Sequence, residues 1–245
     1  MLIHLERMRG LGTGQRVALR RPLSWLPSWR LSWRPSWPLS WLPSWLPLLA
    51  LLLAGLATNA HSAPKPVRVL VLGDSLSAEY GLSRGSGWVA LLEQRLKAHD
   101  GAVMNASISG ETSSGGRTRL PALLASYHPA IVVIELGAND GLRGLPVAAA
   151  EANFRAMITE AKSAGARVLL VGMRLPPNYG RDYGERFFAM YGKLARELHA
   201  PLVPFMLDGV ADTSFQADRL HPTADAHPII LGNIWPRILP LIKSP

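Results

Sequence analysis

The chain has 245 residues, 48% of them hydrophobic, enough for one ordinary domain with a sizeable core. It contains no cysteine, which excludes disulfides and cysteine-ligated metals and leaves packing to supply stability in any oxidising compartment. The formal charge of +9 is uneven: residues 1–63 hold seven Arg and one acidic residue, leaving 19 basic and 16 acidic residues in the remainder, too balanced for a nucleic-acid binder.

Residues 1–21 are Arg-rich. A low-complexity tract follows, with Ser-Trp recurring every fourth residue at Trp25, Trp29, Trp33, Trp37, Trp41 and Trp45. Interleaved prolines from Pro22 to Pro47 forbid a regular helix there. The tract reads as an expanded repeat without a folded role, or an upstream extension of the true start. Its functional alternative is an interfacial Trp/Arg membrane-binding segment. Leu48–Leu56 is a short apolar run, followed by small residues through Ala63. Basic residues, an apolar stretch and small residues before Pro64 have the layout of a secretory signal, cleaved after Ala60 or Ala63. The run is too short to span a bilayer comfortably, and an uncleaved anchor is the competing reading. We therefore expect a leader over 1–63 and a periplasmic or secreted domain over 64–245, without a stable membrane span after cleavage.

The body alternates strand-like and helix-like segments. Val67–Leu72 predicts a buried strand that ends in Gly73-Asp74-Ser75. Trp88, Leu91, Leu92 and Leu96 fall at helical spacing. Ala102–Ala106 reads as a second strand, Arg117–Tyr127 as a helix with Pro121 near its first turns, and Ala130–Leu136 as a third strand. Pro146 opens a helix that Gly165 terminates. Arg167–Gly172 predicts a fourth strand, and Phe187–Leu198 marks a helix. Pro201–Phe205 predicts a fifth strand, and a last helix starts near Thr223. This alternation implies a single domain whose mostly parallel sheet carries helices on both faces. Right-handed crossovers bring successive strand ends to one edge.

Three further polar stretches lie where such a sheet places its chemistry: Asn105–Thr112 after strand two, Glu135–Asp140 after strand three, and Asp218–Pro222 before the last helix. The last reaches that edge only if its loop folds back. Together they hold what acyl transfer needs. Ser75 is a candidate nucleophile, but a hydroxyl is weak unless a base takes its proton. His221 can be that base, because imidazole as a group titrates near neutrality. Asp218, three residues earlier, can hold the ring in one tautomer. The backbone N–H groups of Ser75 and Gly110 and the amide of Asn139 can serve an oxyanion. Each piece also has a plain reading: Gly-Asp-Ser as a capped turn, Asn139-Asp140-Gly141 as a turn signal, and Asp218 with His221 as a helix entry. Asp74 reads as a turn stabiliser. His99, His128, His199 and His227 read as surface residues. No His-x-x-x-His pair suggests a metal, and no cofactor motif is present.

Four blocks in order, Gly73-Asp74-Ser75-Leu76, Gly110, Gly137-Ala138-Asn139-Asp140 and Asp218-x-x-His221-Pro222, make the chain resemble the SGNH, or GDSL, hydrolases. Gly73–Gly81, Glu135–Gly144 and Leu175–Gly180 resemble the periplasmic bacterial branch of thioesterases, lysophospholipases and arylesterases. The resemblance covers about residues 66–243. It implies a flavodoxin-like three-layer α/β/α fold with a five-stranded sheet. It also implies Ser75 as nucleophile, His221 as base, Asp218 as orienter, and Ser75, Gly110 and Asn139 as oxyanion donors. The substrates it implies are acyl esters and thioesters, lysophospholipids among them, handled by a monomer without cofactor. The loop Pro176–Tyr183, carrying Asn178 and Tyr179, is the expected acyl-chain side of the pocket. Arg219 stands where this branch often has Gly, beside the acid. Rival readings are a carbohydrate O-acetyl esterase and a non-catalytic envelope-binding protein.

Overall fold

The computed structural model describes residues 66–243. The leader, its tryptophan repeat and the cleavage site all lie outside the described residues. Five strands form one sheet: β1 (Val67–Gly73), β2 (Gly101–Asn105), β3 (Ile131–Glu135), β4 (Arg167–Val171) and β5 (Leu202–Val203). Their order is β2-β1-β3-β4-β5 and every neighbouring pair is parallel. Residues 69–72 of β1 and all of β3 are buried, without the alternation of a half-exposed sheet, because helices cover both faces. α1 (Trp88–Leu96) packs against α6 (His227–Lys243). On the other side α2 (Ser113–Tyr127), α4 (Val147–Ser163) and α5 (Arg181–Glu197) pack in a row. One short turn, α3 (Ala138–Leu142), follows β3 directly. The result is the three-layer α/β/α sandwich. Among the described residues no helix is long and apolar enough to cross a membrane.

This strand order has a physical consequence. The chain leaves β1 toward β2 on one side and returns to β3 on the other, so the loops after β1 and β3 diverge. A crevice opens at that switch point, outside the carboxyl ends of the strands. Ser75 follows β1 and Asn139 follows β3.

Several boundaries differ from the sequence reading for identifiable reasons. α2 begins at Ser113, four residues before the expected start, and runs through Pro121. The Thr112 hydroxyl accepts from Gly115 N–H at 3.3 Å, and Asp140 accepts from Ser113 N–H at 2.8 Å and from its hydroxyl at 2.6 Å. That second cap comes from 27 residues away, so no local pattern announces it. β5 shrinks to two residues because Pro201 and Pro204 flank it and lack the N–H a ladder needs. A single 3-10 turn, Ala224–Ala226, precedes α6. His227 corrects the surface reading. It is buried, and its Nδ1 accepts from Trp88 N–H at 3.0 Å. Gly87, at the N-cap of α1, has no side chain to offer, and the imidazole from α6 takes that place. Burial pushes the His227 pKa down, with Glu79 opposing.

Candidate active site

The turn after β1 is wound tightly. Ser77 and Ala78 N–H donate back to Asp74 C=O at 3.2 and 3.0 Å, and Tyr80 N–H donates to Ser75 C=O at 3.3 Å. Asp74 is buried, and its Oδ1 accepts from Leu76 N–H at 3.0 Å, a turn-stabilising bond. Beneath the turn, Trp88 Nε1–H donates to the Ser77 hydroxyl at 3.2 Å, which donates to Glu135 Oε2 at 2.6 Å. From the end of β2, Asn105 Nδ2–H donates to Ser77 C=O at 2.8 Å. Ser75 is thereby held on a rigid support with its hydroxyl toward the crevice.

The loop that carries Asp218 and His221 does fold back over the sheet edge. Phe215 bridges Pro222 in antiparallel fashion, and Gln216 N–H donates to His221 C=O at 2.7 Å. The Gln216 amide also donates to Tyr80 C=O at 2.9 Å, tying this loop to the Ser75 turn. His221 Nε2 lies 2.8 Å from Ser75 Oγ, and His221 Nδ1 lies 2.6 Å from Asp218 Oδ2. The other carboxylate oxygen, Asp218 Oδ1, accepts from the N–H groups of His221 at 3.0 Å and Leu220 at 2.9 Å. Those two backbone donors are the main reason the Asp218 carboxyl is held down to about 2. The Tyr80 ring covers His221, with centroids 4.4 Å apart.

Gly110 and Asn139 complete the wall. Gly110 takes a φ of 79°, a left-handed conformation that favours glycine, and Arg143 Nη2 donates to its C=O at 2.9 Å. Neither Ser75 N–H nor Gly110 N–H donates to another group among the described residues. Gly137 starts α3 at φ 101°, where an added Cβ would lie 2.3 Å from the Tyr191 hydroxyl. That turn carries Asn139 to the rim. Its Nδ2 donates to Asp74 Oδ2 at 3.2 Å and Glu111 C=O at 3.0 Å.

Two carboxyls under this site are forced toward their neutral forms. Burial, more than any other cause, raises Asp74 to about 6 and pushes Glu135 well above the usual carboxylate range. Each also feels a neighbouring acid, Asp140 beside Asp74 and Asp74 beside Glu135.

Ser75, Gly110, Asn139 and His221 all face one cavity of about 470 Å³. Leu76, Leu142, Met173, Leu175, Phe205 and Leu207 supply its apolar walls. Asn178 and Tyr179 are not among its lining residues; Leu175 and Pro176, just before them, are. The chain turns into a 3-10 helix at Pro177–Tyr179 that leads on to α5, so the predicted contact moves toward the strand end.

This arrangement, a hydroxyl, an imidazole and a carboxylate in line beside free backbone donors, is suited to acyl transfer. A model of the GDSL-like lipase/acylhydrolase family matches residues 71–229. The chain belongs to this family. Esterase TesA of Pseudomonas aeruginosa is 52% identical over 71% of this chain and 89% of that protein. The thioesterase 1/protease 1/lysophospholipase L1 of Escherichia coli is 45% identical over 71% of this chain and 85% of its own length. The crystal structure of TesA superposes with a TM-score of 0.69, covering 71% of this chain and 99% of that one. As a member of the GDSL-like lipase/acylhydrolase family the chain is an acylhydrolase. An envelope-binding protein without catalysis is thereby set aside.

Several parts of this acylhydrolase site leave little mark in the sequence. Tyr80, Phe215 and Leu220 line the cavity from loops without periodicity. Glu135 had a signal, a carboxylate closing an otherwise apolar strand, but its partner Ser77 is 58 residues away. Gln216 and Arg143 hold backbone carbonyls, and nothing in a sequence marks such bonds in advance.

Proposed function

We propose that this protein hydrolyses acyl esters and thioesters through an acyl-enzyme on Ser75. The observation that supports this most is the unbroken chain from Ser75 Oγ to His221 at 2.8 Å and on to Asp218 at 2.6 Å. Ser75 Oγ attacks the carbonyl carbon and its proton passes to His221 Nε2. Asp218, ionised at working pH, stabilises the imidazolium. The oxyanion that forms is met by the free N–H groups of Ser75 and Gly110. Asn139 adds to them by sharing the hydrogen of its longer bond, the one to Asp74. Collapse breaks the C–O or C–S bond, and the leaving group takes the proton from His221. Water then attacks the acyl carbon while its proton passes to the same nitrogen; the bond to Ser75 Oγ breaks, Ser75 takes that proton back and the acid leaves.

The apolar cavity suits a fatty acyl chain better than an acetylated sugar, whose hydroxyls need polar partners. Aryl esters and lysophospholipids fit this description, in keeping with the arylesterase and lysophospholipase names of relatives. The leader of residues 1–63 supports an exported enzyme that meets such substrates in the periplasm or outside the cell. Ser75→Ala loses p-nitrophenyl ester turnover by 10³-fold or more, on the order expected for removing a nucleophile. It also loses labelling by a fluorophosphonate, with its circular dichroism unchanged. Retained turnover would reject the assignment.

A further inference from the structure

On four loops that supply or directly adjoin the cavity-lining and oxyanion-side stretches, large apolar side chains stand in solvent. Tyr80, Ile108, Leu145 and Leu220 are each between 39 and 49% exposed. Tyr80 and Leu220 themselves line the cavity. Ile108 directly precedes Ser109 and Gly110, which also line it. Leu145 lies two residues beyond Arg143, the side chain that holds the Gly110 carbonyl. A rim built this way costs solubility and adds no core, so its exposure needs a partner.

The charge at the rim indicates which partner. Among the described residues, Arg174 and Arg219 line the cavity and no carboxylate does. Arg143 adds a third guanidinium beside Gly110. Arg174 stacks on Phe188 and Arg143 donates to a carbonyl. None of the three has a carboxylate partner among the described residues. Arg219 holds a left-handed φ of 56°, a conformation that favours glycine. A second copy of this chain fits poorly, because a two-fold contact would set these cations against themselves. An anionic lipid surface matches both features, apolar groups to enter the headgroup boundary and guanidiniums to pair with phosphates.

We propose that the cavity rim docks on anionic bilayers and opens the acyl site directly toward the membrane. Its purpose rests on the acyl-ester reading above, but its measurement does not. The test is co-sedimentation of the full chain with large unilamellar vesicles of phosphatidylcholine, with and without about 30% phosphatidylglycerol. The full chain carries the Trp/Arg leader, so rim variants provide the contrast. Arg174→Gln with Arg219→Gln lowers affinity for the anionic vesicles about 25-fold, five-fold for each charge, and shrinks their advantage over neutral ones by the same factor. Ile108→Ser with Leu145→Ser, neither of which lines the cavity, weakens binding about ten-fold while soluble p-nitrophenyl acetate turnover is unchanged. Equal binding by wild type and both variants would overturn the proposal and leave the leader as the sole anchor. So would absence of any preference for anionic vesicles. Ser75→Ala binds vesicles like wild type; if it also keeps its esterase activity, the catalytic reading fails while the docking stands.

Discussion

Asn139 stands between two demands. Its amide faces the cavity, yet both of its hydrogens are engaged, by Asp74 and by Glu111 C=O. In acyl transfer one of them must turn partly toward the oxyanion. Asn139→Ala therefore lowers kcat by about 10²–10³ with little change in KM, as loss of one such donor does. Steady-state kinetics on a short aryl ester checks this. Asp74 makes a second prediction. Its carboxyl ionises at about 6 in the folded protein against 3.8 as a free side chain, mainly because burial disfavours the charge. The folded state thus holds the proton more tightly. The stability this contributes is complete below pH 3.8 and is lost as pH rises through about 6. Asp74→Asn removes the titration while keeping an oxygen for Leu76 N–H. Its mismatched contact with Asn139 is a constant penalty that cancels between pH values. Urea midpoints compared at pH 4 and pH 7 shift in favour of the variant at the higher pH.

Among the elements, β1 was the easiest to read from the chain, since an apolar run ending in Gly needs no partner to be recognised. The β4–β5 edge was harder. Gly172, just past β4, donates its N–H to Val203 C=O at 2.8 Å, and a Cβ there would lie 2.3 Å from the Pro204 carbonyl oxygen. A backbone atom cannot rotate away. Gly172→Ala destabilises by about 1–3 kcal/mol through overpacking, measured by chemical denaturation. α2 shows the opposite difficulty. Gly115, Gly116 and Pro121 argue against a long helix there, and local propensity loses to the Asp140 cap and to packing on α4. At Gly116 a Cβ would meet Leu136 Cδ1 at 2.4 Å, so the residue that weakens the helix also lets it approach β3.

At the scale of the whole molecule, charge and topology separate cleanly. The described body is close to neutral in composition, yet three guanidiniums gather at one rim, where composition has no say. The leader is argued from sequence alone: its basic start, short apolar run and small residues read as an export signal. Mature protein from an exporting host then begins at His61 or Pro64, which intact-mass measurement of the secreted species reads directly. An N-terminus upstream of the tryptophan repeat would reject the cleavage.

The sequence alone was enough for a parallel α/β domain and for nominating Ser75, Gly110, Asn139, Asp218 and His221. Strand runs are local, and nucleophile, base and amide each sit in short stretches of distinctive chemistry. It also carried the family resemblance, because four ordered blocks rarely coincide by chance. Only the tertiary structure decided how the Asp218 loop turns back, that His227 caps α1, and that Leu175 and Pro176 rather than Asn178 and Tyr179 face the cavity. It alone disclosed the buried Asp74 and Glu135 carboxyls and the cationic, apolar rim. Each of these depends on groups tens of residues apart meeting away from water, where desolvation and hydrogen bonding act between chain segments and leave no periodic trace along any one of them.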